Sequence, residues 1–342
     1  MSQKPIYIGE KKASFSNKEV KGSLGSLEGE TYYKITNNDS MRPFFMSLVS
    51  NSNHWMFVAS NGGLTAGRKD SNNALFPYYT DDKITESSEI TGSKTLLQIH
   101  KADKTFLWEP FSDNYAGVYK TQRNLYKNSW GNKLIFEEVN EDLGLTFRYQ
   151  WSSSDRFGFV KKATLCNNQK EAVQISVLDG LQNLLPYGLN SDMQNNRSNL
   201  VDAYKKSELL EASGLGIYSL SSVIVDRAEP SEALKANIAW SVGLETPSYL
   251  ICSKQIQHFR EGKELEKETE VRAEKSAYFV NTTLDLAAGS EKTWMLVANV
   301  NQGPSDVVAI AALINSENNL FDTVLEDVAE GTRELIELNA NI

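Results

Sequence analysis

Leu134-Ile-Phe-Glu-Glu-Val139 runs into Asn140-Glu-Asp-Leu-Gly144, and the chain returns as Leu145-Thr-Phe-Arg-Tyr-Gln-Trp151. Apolar and polar residues alternate along both arms around a turn rich in Asn, Asp and Gly, which is the pattern of an antiparallel hairpin with one face in a core. Working outward, residues 95–100 and 105–108 flank the short polar link Lys101-Ala-Asp-Lys104 as a second hairpin, and residues 159–166 and 173–178 flank Asn167-Asn-Gln-Lys-Glu171 as a third pair. Further runs rich in Val, Ile, Tyr, Phe and Trp fall at 54–60, 216–225, 234–242, 248–256, 277–284 and 292–300. So many strands predict two stacked antiparallel sheets, a large and mainly β sandwich.

The period changes at Gly303-Pro304-Ser305-Asp306, where a capping group precedes Val307, Val308, Ile310, Ala311 and Ile314 at helical spacing. A second helix carries Phe321, Val324, Leu325, Val328, Leu335 and Ile336 mostly on one face, with Gly331 as an interruption. Residues 1–303 thus read as the β unit and 304–342 as a helical segment whose apolar stripe needs a partner surface. The end, Asn339-Ala-Asn-Ile342, has no closing element, as expected of a domain cut from a longer protein. No period of 20–50 residues repeats, and Gly22-Ser-Leu-Gly-Ser-Leu-Glu-Gly29 reads as a flexible surface loop.

With 342 residues, 40% of them hydrophobic, the chain can bury a substantial core. A formal charge of −9 with 35 scattered basic residues argues against nucleic acid and anionic membranes as partners. No start resembling a signal peptide and no span of roughly 18 apolar residues is present, so the expected location is cytoplasmic. Cys166 and Cys252 lie in apolar runs and fit reduced thiols better than a disulfide framework. His54, His100 and His258 have no zinc spacing, Gly-x-Ser-x-Gly is absent, and the glycines of 60–70 match neither a P-loop nor a dinucleotide fingerprint, so no metal or cofactor is expected.

Three segments carry candidate binding residues. Ser60-Asn-Gly-Gly-Leu-Thr-Ala-Gly-Arg-Lys-Asp70 offers Asn61 and Arg68 for hydrogen bonds beside glycines that permit close approach; it reads equally as a strand and a tight glycine turn. Trp108-Glu-Pro-Phe-Ser-Asp-Asn-Tyr115 and the following Arg123 interleave rings with polar groups, so Trp108, Tyr115, Asp113 and Arg123 are candidates for stacking on and bonding a sugar; core aromatics are the competing reading. Asp179-Gly-Leu-Gln-Asn-Leu-Leu-Pro-Tyr-Gly188 reads as a strand end, placing Gln182, Asn183 and Tyr187 at a pocket mouth or in a closing loop. Glu109, Asp113, Glu137 and Glu138 are carboxyls whose spacing, decisive for glycoside hydrolysis, the sequence does not give. Asp155-Arg156 and Asp226-Arg227 read as structural charge pairs.

Ser60 to Asp70, Trp108 to Asn114, Arg123-Asn-Leu-Tyr126, Gly131-Asn-Lys-Leu-Ile-Phe-Glu-Glu138, Ser154-Asp-Arg-Phe-Gly158 and Leu178 to Gly188 together resemble the N-terminal region of proteins related to cellobiose phosphorylase, glycoside hydrolase family 94, formerly grouped as glycosyltransferase family 36. The resemblance covers about residues 51–338. It implies a galactose mutarotase-like β supersandwich, a helical linker, and a following (α/α)6 barrel whose Asp assists inverting attack by phosphate. No residue of this chain would then be catalytic, and its loops would shape a disaccharide or oligosaccharide site or a homodimer interface. Two other readings stand beside it: a self-sufficient mutarotase or lyase, which needs a His or Tyr acid and a Glu base, and a packing or dimerisation module without sugar affinity.

Overall fold

The computed structural model describes residues 5–15, 18–222, 224 and 234–340. Its largest sheet runs, from edge to edge, Glu270–Arg272, Lys205–Leu210, Leu215–Leu220, Ala236–Val242, Glu291–Gln302, Gly158–Asn167, Leu145–Ser154, Leu134–Asn140, Thr121–Asn128, Glu30–Thr36 and Lys21–Leu27. A second sheet of order Lys104–Trp108, Gly92–Lys101, Val173–Leu184, Ser276–Leu286, Ser248–Cys252 faces it. A four-stranded sheet, Phe45–Leu48, His54–Ala59, Leu64–Arg68 and Ala74–Phe76, adds Met56, Val58, Leu64 and Phe76 to the same core. The hairpin that decides the fold pairs Leu134 with Trp151 and Asn140 with Leu145, and Gly144 turns it at φ 63.

Alternation sorts the side chains. Phe136, Phe147, Tyr149, Trp151, Phe159 and Trp294 from the large sheet meet Leu97, Ile99, Val177, Leu181 and Tyr278 from the second, in one continuous core. One charged pair lies at the centre of this core. Lys161 and Asp179 meet between the sheets at 2.5 Å with both side chains fully buried. Thr95 Oγ1 and Trp294 Nε1 donate to the same carboxylate at 2.6 and 2.8 Å, and the ammonium lies 5.4 Å from the Tyr149 ring. Burial pulls the Lys161 ammonium below its ordinary value, and the Asp179 charge opposes that pull. Such a pair costs much to desolvate, but losing one member costs more, because the other stays buried and uncompensated.

The opposite face of the large sheet is covered at one end by Pro304–Ser316 and Leu320–Ala340, which bury Val160, Ile238, Trp240, Met295 and Val297 under Leu320, Val324 and Val328. The Asp306 carboxylate caps the first helix by accepting from Gly303 N at 2.8 Å. Gly331 does not break the second helix as its sequence suggests. A Cβ there would sit 2.8 Å from Asn51 Oδ1, so glycine lets the helix lie close against that loop.

Three other expectations change. Residues 159–166 and 173–178 do not pair with each other: Gly158–Asn167 lies in the large sheet between Leu145–Ser154 and Glu291–Gln302, and the polar link carries the chain across to Val173–Leu184 in the facing sheet. The Gly22–Gly29 stretch is no flexible loop: Lys21–Leu27 pairs residue for residue with Glu30–Thr36. Nor does Asp179 end its strand, which continues to Leu184 because Lys161 neutralises the carboxylate in the interior. Asp226-Arg227 and the far end of the 216–225 run lie outside the described residues. Asp155 pairs with Arg68 at 3.0 Å, and the Arg156 guanidinium lies 4.7 Å from the Phe157 ring.

Asp179→Asn removes the counter-charge of Lys161 and is expected to cost about 3–5 kcal/mol of folding stability, read from denaturant midpoints. Lys161→Met combined with Asp179→Leu should cost clearly less than the two single changes added together. Strict additivity would show that the two groups do not act as a pair.

Candidate functional site

At one end of the sandwich the segment after Lys104–Trp108 folds back over the large sheet, and Glu138 organises it. This buried carboxylate accepts from Trp108 Nε1, Phe111 N and Arg123 Nε, each at 2.8 Å. Arg123 stands directly opposite Glu138 in the strand register. Its remaining donors reach Asp113 Oδ1 at 2.7 Å and Ser112 O at 2.9 Å, so one guanidinium ties the 111–113 turn to the sheet. Phe111 is held at φ 66, a strained conformation for an aromatic residue, with its ring 6.1 Å from Phe136 and 5.2 Å from Tyr149.

A second carboxylate pair holds the same turn from behind. Glu89 accepts from Lys94 Nζ at 2.7 Å, Ser112 Oγ at 3.0 Å and Asp113 N at 2.8 Å. Glu109, its side chain fully buried, binds Lys94 at 2.9 Å and Arg260 bidentately at 2.6 and 3.0 Å. Burial alone would raise both carboxyls. For Glu109 the Arg260 hydrogen bond and the Lys94 charge outweigh it, and for Glu89 the Lys94 charge and hydrogen bond do, so both sit below the ordinary value of 4.5. The Tyr115 hydroxyl is pushed up by burial and by neighbouring Glu109.

The third side comes from the N-terminal sheet. Asn38 donates to Ser60 O at 3.0 Å, and Ser60 Oγ accepts from Phe44 N at 3.1 Å. Asn61 donates to Thr85 O at 2.9 Å and accepts from Gly63 N at 3.3 Å. Gly63 is required there, since a Cβ would fall 2.0 Å from Ile84 O.

These three sides enclose a cavity of about 200 Å³. Asn38, Asp39, Ser60, Asn61, Asp113 and Arg123 supply its polar lining, and Met41, Pro43, Phe111 and Phe136 its apolar lining. Asn38 is only 6% exposed, and its Oδ1 has no hydrogen-bond partner among the described residues. A narrow crevice continues past Asn61 and Phe111 to Glu89, Lys94 and Ser112. Wider hollows by Leu209, Tyr249 and Leu265 and along the acidic face of Leu320–Ala340 gather none of the nine sequence candidates.

Of those nine, Asn61, Asp113 and Arg123 meet at the cavity. Tyr115 stands behind it, beside Glu109. Trp108 is 2% exposed and spends its N–H on Glu138, so its ring supports the loop and has no free face for a ligand. Gln182 donates to Glu89 O at 3.1 Å and Asn183 to Thr91 Oγ1 at 3.0 Å, both buried. Arg68 lies at the far end of its hairpin from Asn61, bonded to Asn53, Asp155 and Asn299. Tyr187 lies elsewhere, its ring 5.7 Å from Lys235 Nζ. Glu137 points to the opposite face of its strand and binds Arg148, Tyr126 and Asn124. Sequence reading missed Asn38, Asp39 and Ser60, which sit in a short turn and at a strand end without a motif.

No protein-family model matches the chain, and no curated protein matches it. Among solved structures, a bacterial glucoamylase complexed with acarbose aligns over 95% of this chain and 39% of its own, with 9% identity and TM-score 0.49. A protein assigned as a kojibiose phosphorylase from the human microbiome aligns over 92% and 38%, with 12% identity and TM-score 0.41. One assigned as an aldose 1-epimerase from Escherichia coli K12 aligns over 76% and 99%, with 9% identity and TM-score 0.42. The chain therefore spans under two-fifths of the first two proteins. Likeness at this level carries no chemistry from them to this chain.

The ion pairs around the cavity give it a pH signature. A carboxyl whose folded value is depressed stabilises the fold fully above its ordinary value near 4.5, and that contribution is lost as pH falls through the lower folded value. Glu109→Gln should therefore lower stability at neutral pH by ~3 kcal/mol, since the carboxylate is fully buried, with the gap to the parent chain closing in acid. Denaturant midpoints from pH 7 down to about 3 read this. A gap constant across that range would refute the assignment.

Proposed function

We propose that this chain is a noncatalytic carbohydrate-associated domain that holds one sugar ring in the cavity between Asn38, Asn61, Asp113 and Arg123. The observation that carries the reading is a small cavity where amides, carboxylates, a guanidinium and a hydroxyl converge beside the Phe111 and Phe136 rings. Sugars pair many hydroxyls with apolar C–H faces, and this lining supplies partners for both. The volume, below the roughly 300–1,000 Å³ of drug-sized sites, suits a single ring better than a chain of them.

The sequence resemblance to the N-terminal region of the cellobiose phosphorylase family supports the same reading. On it, the domain works in the cytoplasm beside a helical catalytic domain that supplies the acid for phosphorolysis or hydrolysis. The alternative of a self-sufficient mutarotase or lyase finds no favouring observation. None of the three histidines lines the cavity, and burial, then the Arg68 charge, push the His54 ring down to about 3, leaving it neutral at physiological pH.

Calorimetric or NMR titration of the chain with mono- and disaccharides should give saturable binding that Asn61→Ala and Asp113→Ala each weaken about tenfold or more, the loss of one or two hydrogen bonds, one of them charged. Arg68→Ala should leave affinity unchanged. Absence of saturable binding to every sugar, or equal affinity in all three variants, would sink the proposal. On a disaccharide panel with and without phosphate, the complete gene product should turn over substrate and this chain should not; turnover by this chain alone would return the mutarotase or lyase reading.

A further inference from the structure

A second pocket, separate from the sugar cavity, opens where three strand ends meet. Val173–Leu184 finishes there with Asn183 at φ 57, and its register with Ser276–Leu286 slips between Gln182 and Leu184, so the strand is bulged at that residue. Lys275 precedes Ser276–Leu286, and Lys205 opens Lys205–Leu210 directly after the helix Ser198–Tyr204. The pocket measures about 90 Å³, under half the volume of the sugar cavity. Pro77, Leu185 and Leu189 give it a buried apolar wall, and Tyr79, Asn183, Asp202, Lys205 and Lys275 its polar groups. Its charge is unbalanced. The Lys205 side chain is 4% exposed and has Asp202 Oδ1, at 2.8 Å, as its single partner among the described residues, so two of its three N–H groups have no acceptor there. Lys275 is exposed and makes no ion pair among the described residues, while Glu274 beside it is taken by Lys254 at 2.7 Å. Two cations thus face one carboxylate. Burial, and also the Lys275 charge, pull the Lys205 ammonium below its ordinary value, against the Asp202 hydrogen bond and charge. The Tyr79 hydroxyl accepts from the Asn183 amide and, kept protonated by burial, has its own hydrogen to give.

We propose that this pocket binds the carboxylate of a small organic acid, with the acid group between Lys205 and Lys275 beside the Tyr79 hydroxyl and a short apolar remainder against Pro77, Leu185 and Leu189. One carboxylate brings the single negative charge that the pocket lacks, and its two oxygens are acceptors for the unpaired ammonium donors. A phosphate dianion would bring a second negative charge towards Asp202 with no cation left to meet it. A neutral ligand would leave the extra cation unmatched.

NMR titration of the full chain with sodium propionate at neutral pH and constant ionic strength should shift the amides of Tyr79, Asn183, Asp202 and Lys275 saturably, with a dissociation constant on the order of 1 mM. Propionamide, of the same shape but neutral, should give no saturable shift, and inorganic phosphate should bind more weakly than propionate. Lys275→Gln, at an exposed position, and Lys205→Met should each weaken propionate binding about tenfold. Should Lys205→Met fail to fold, Lys275→Gln and propionamide still decide. Absence of saturation by ~50 mM propionate, unchanged affinity in Lys275→Gln, or propionamide binding as tightly overturns the site. Tighter binding of phosphate than of propionate overturns the choice of a carboxylate.

Discussion

The fold depends on placing two opposite charges between facing sheets. Lys161 and Asp179 are fully buried, and a one-residue slip of either strand would turn its charge to the opposite face and leave the other alone in an apolar core. The pair thus fixes the stacking of the sheets more stringently than apolar contacts, which tolerate repacking. Its surroundings are fitted to the same end. Gly180, beside the carboxylate, has no room for a Cβ, which would fall 2.2 Å from the Phe279 ring and 2.5 Å from Tyr278 O. From there the strand runs on to Gln182, whose amide holds Glu89 O. The core constraint and the residue that fixes the Glu89 backbone behind the 112–113 turn are therefore two stretches of one strand.

The antiparallel sandwich was legible because most strands bury one face and wet the other, or come in close-set pairs with polar turns. Pairings of 92–101 with 104–108 and of 134–140 with 145–154 were visible in that pattern, whereas the expected pair of 159–166 with 173–178 was not a hairpin, because the chain crosses there from one sheet to the facing one. It failed where composition misrepresented environment. Gly-Ser-Leu-Gly-Ser-Leu looks like a linker because its side chains have nothing to pack on, yet backbone pairing with Glu30–Thr36 makes it a strand. Asp179 looked like a strand end because the cation that neutralises it lies 18 residues away. Gly331 looked like a helix break because the reason for a missing Cβ is Asn51, some 280 residues distant in sequence.

The site was legible to the extent that its residues carry their own signal. Asn61, Asp113 and Arg123 belong to segments unusually rich in polar and aromatic groups, and they converge. Trp108 belongs to the same signal, but which way a ring faces follows from strand parity and from Glu138, a residue on another strand. Arg68 shares a hairpin with Asn61 and still ends up at its opposite end, because five strand residues carry it about 17 Å away. Asn38 and Ser60 were silent: an isolated Asn or Ser in a turn is ordinary, and only the fold brings them beside Arg123.

What the cavity can accept follows from how its charges are already used. Arg123 is shared between Glu138 and Asp113, Lys94 between Glu89 and Glu109, and Glu109 also takes Arg260. An anionic ligand would have to compete for Arg123 or Lys94 with the carboxylates that already hold them. A neutral, hydroxyl-bearing ring need displace none. It can donate to the accessible carboxylate oxygens of Asp39 and Asp113, while its C–H faces lie against the aromatic side. The charges nearest the cavity thus serve mainly to hold the 109–113 turn, with Phe111 in its strained conformation, and on the proposed reading this preorganised turn would do more than net charge to set the class of ligand.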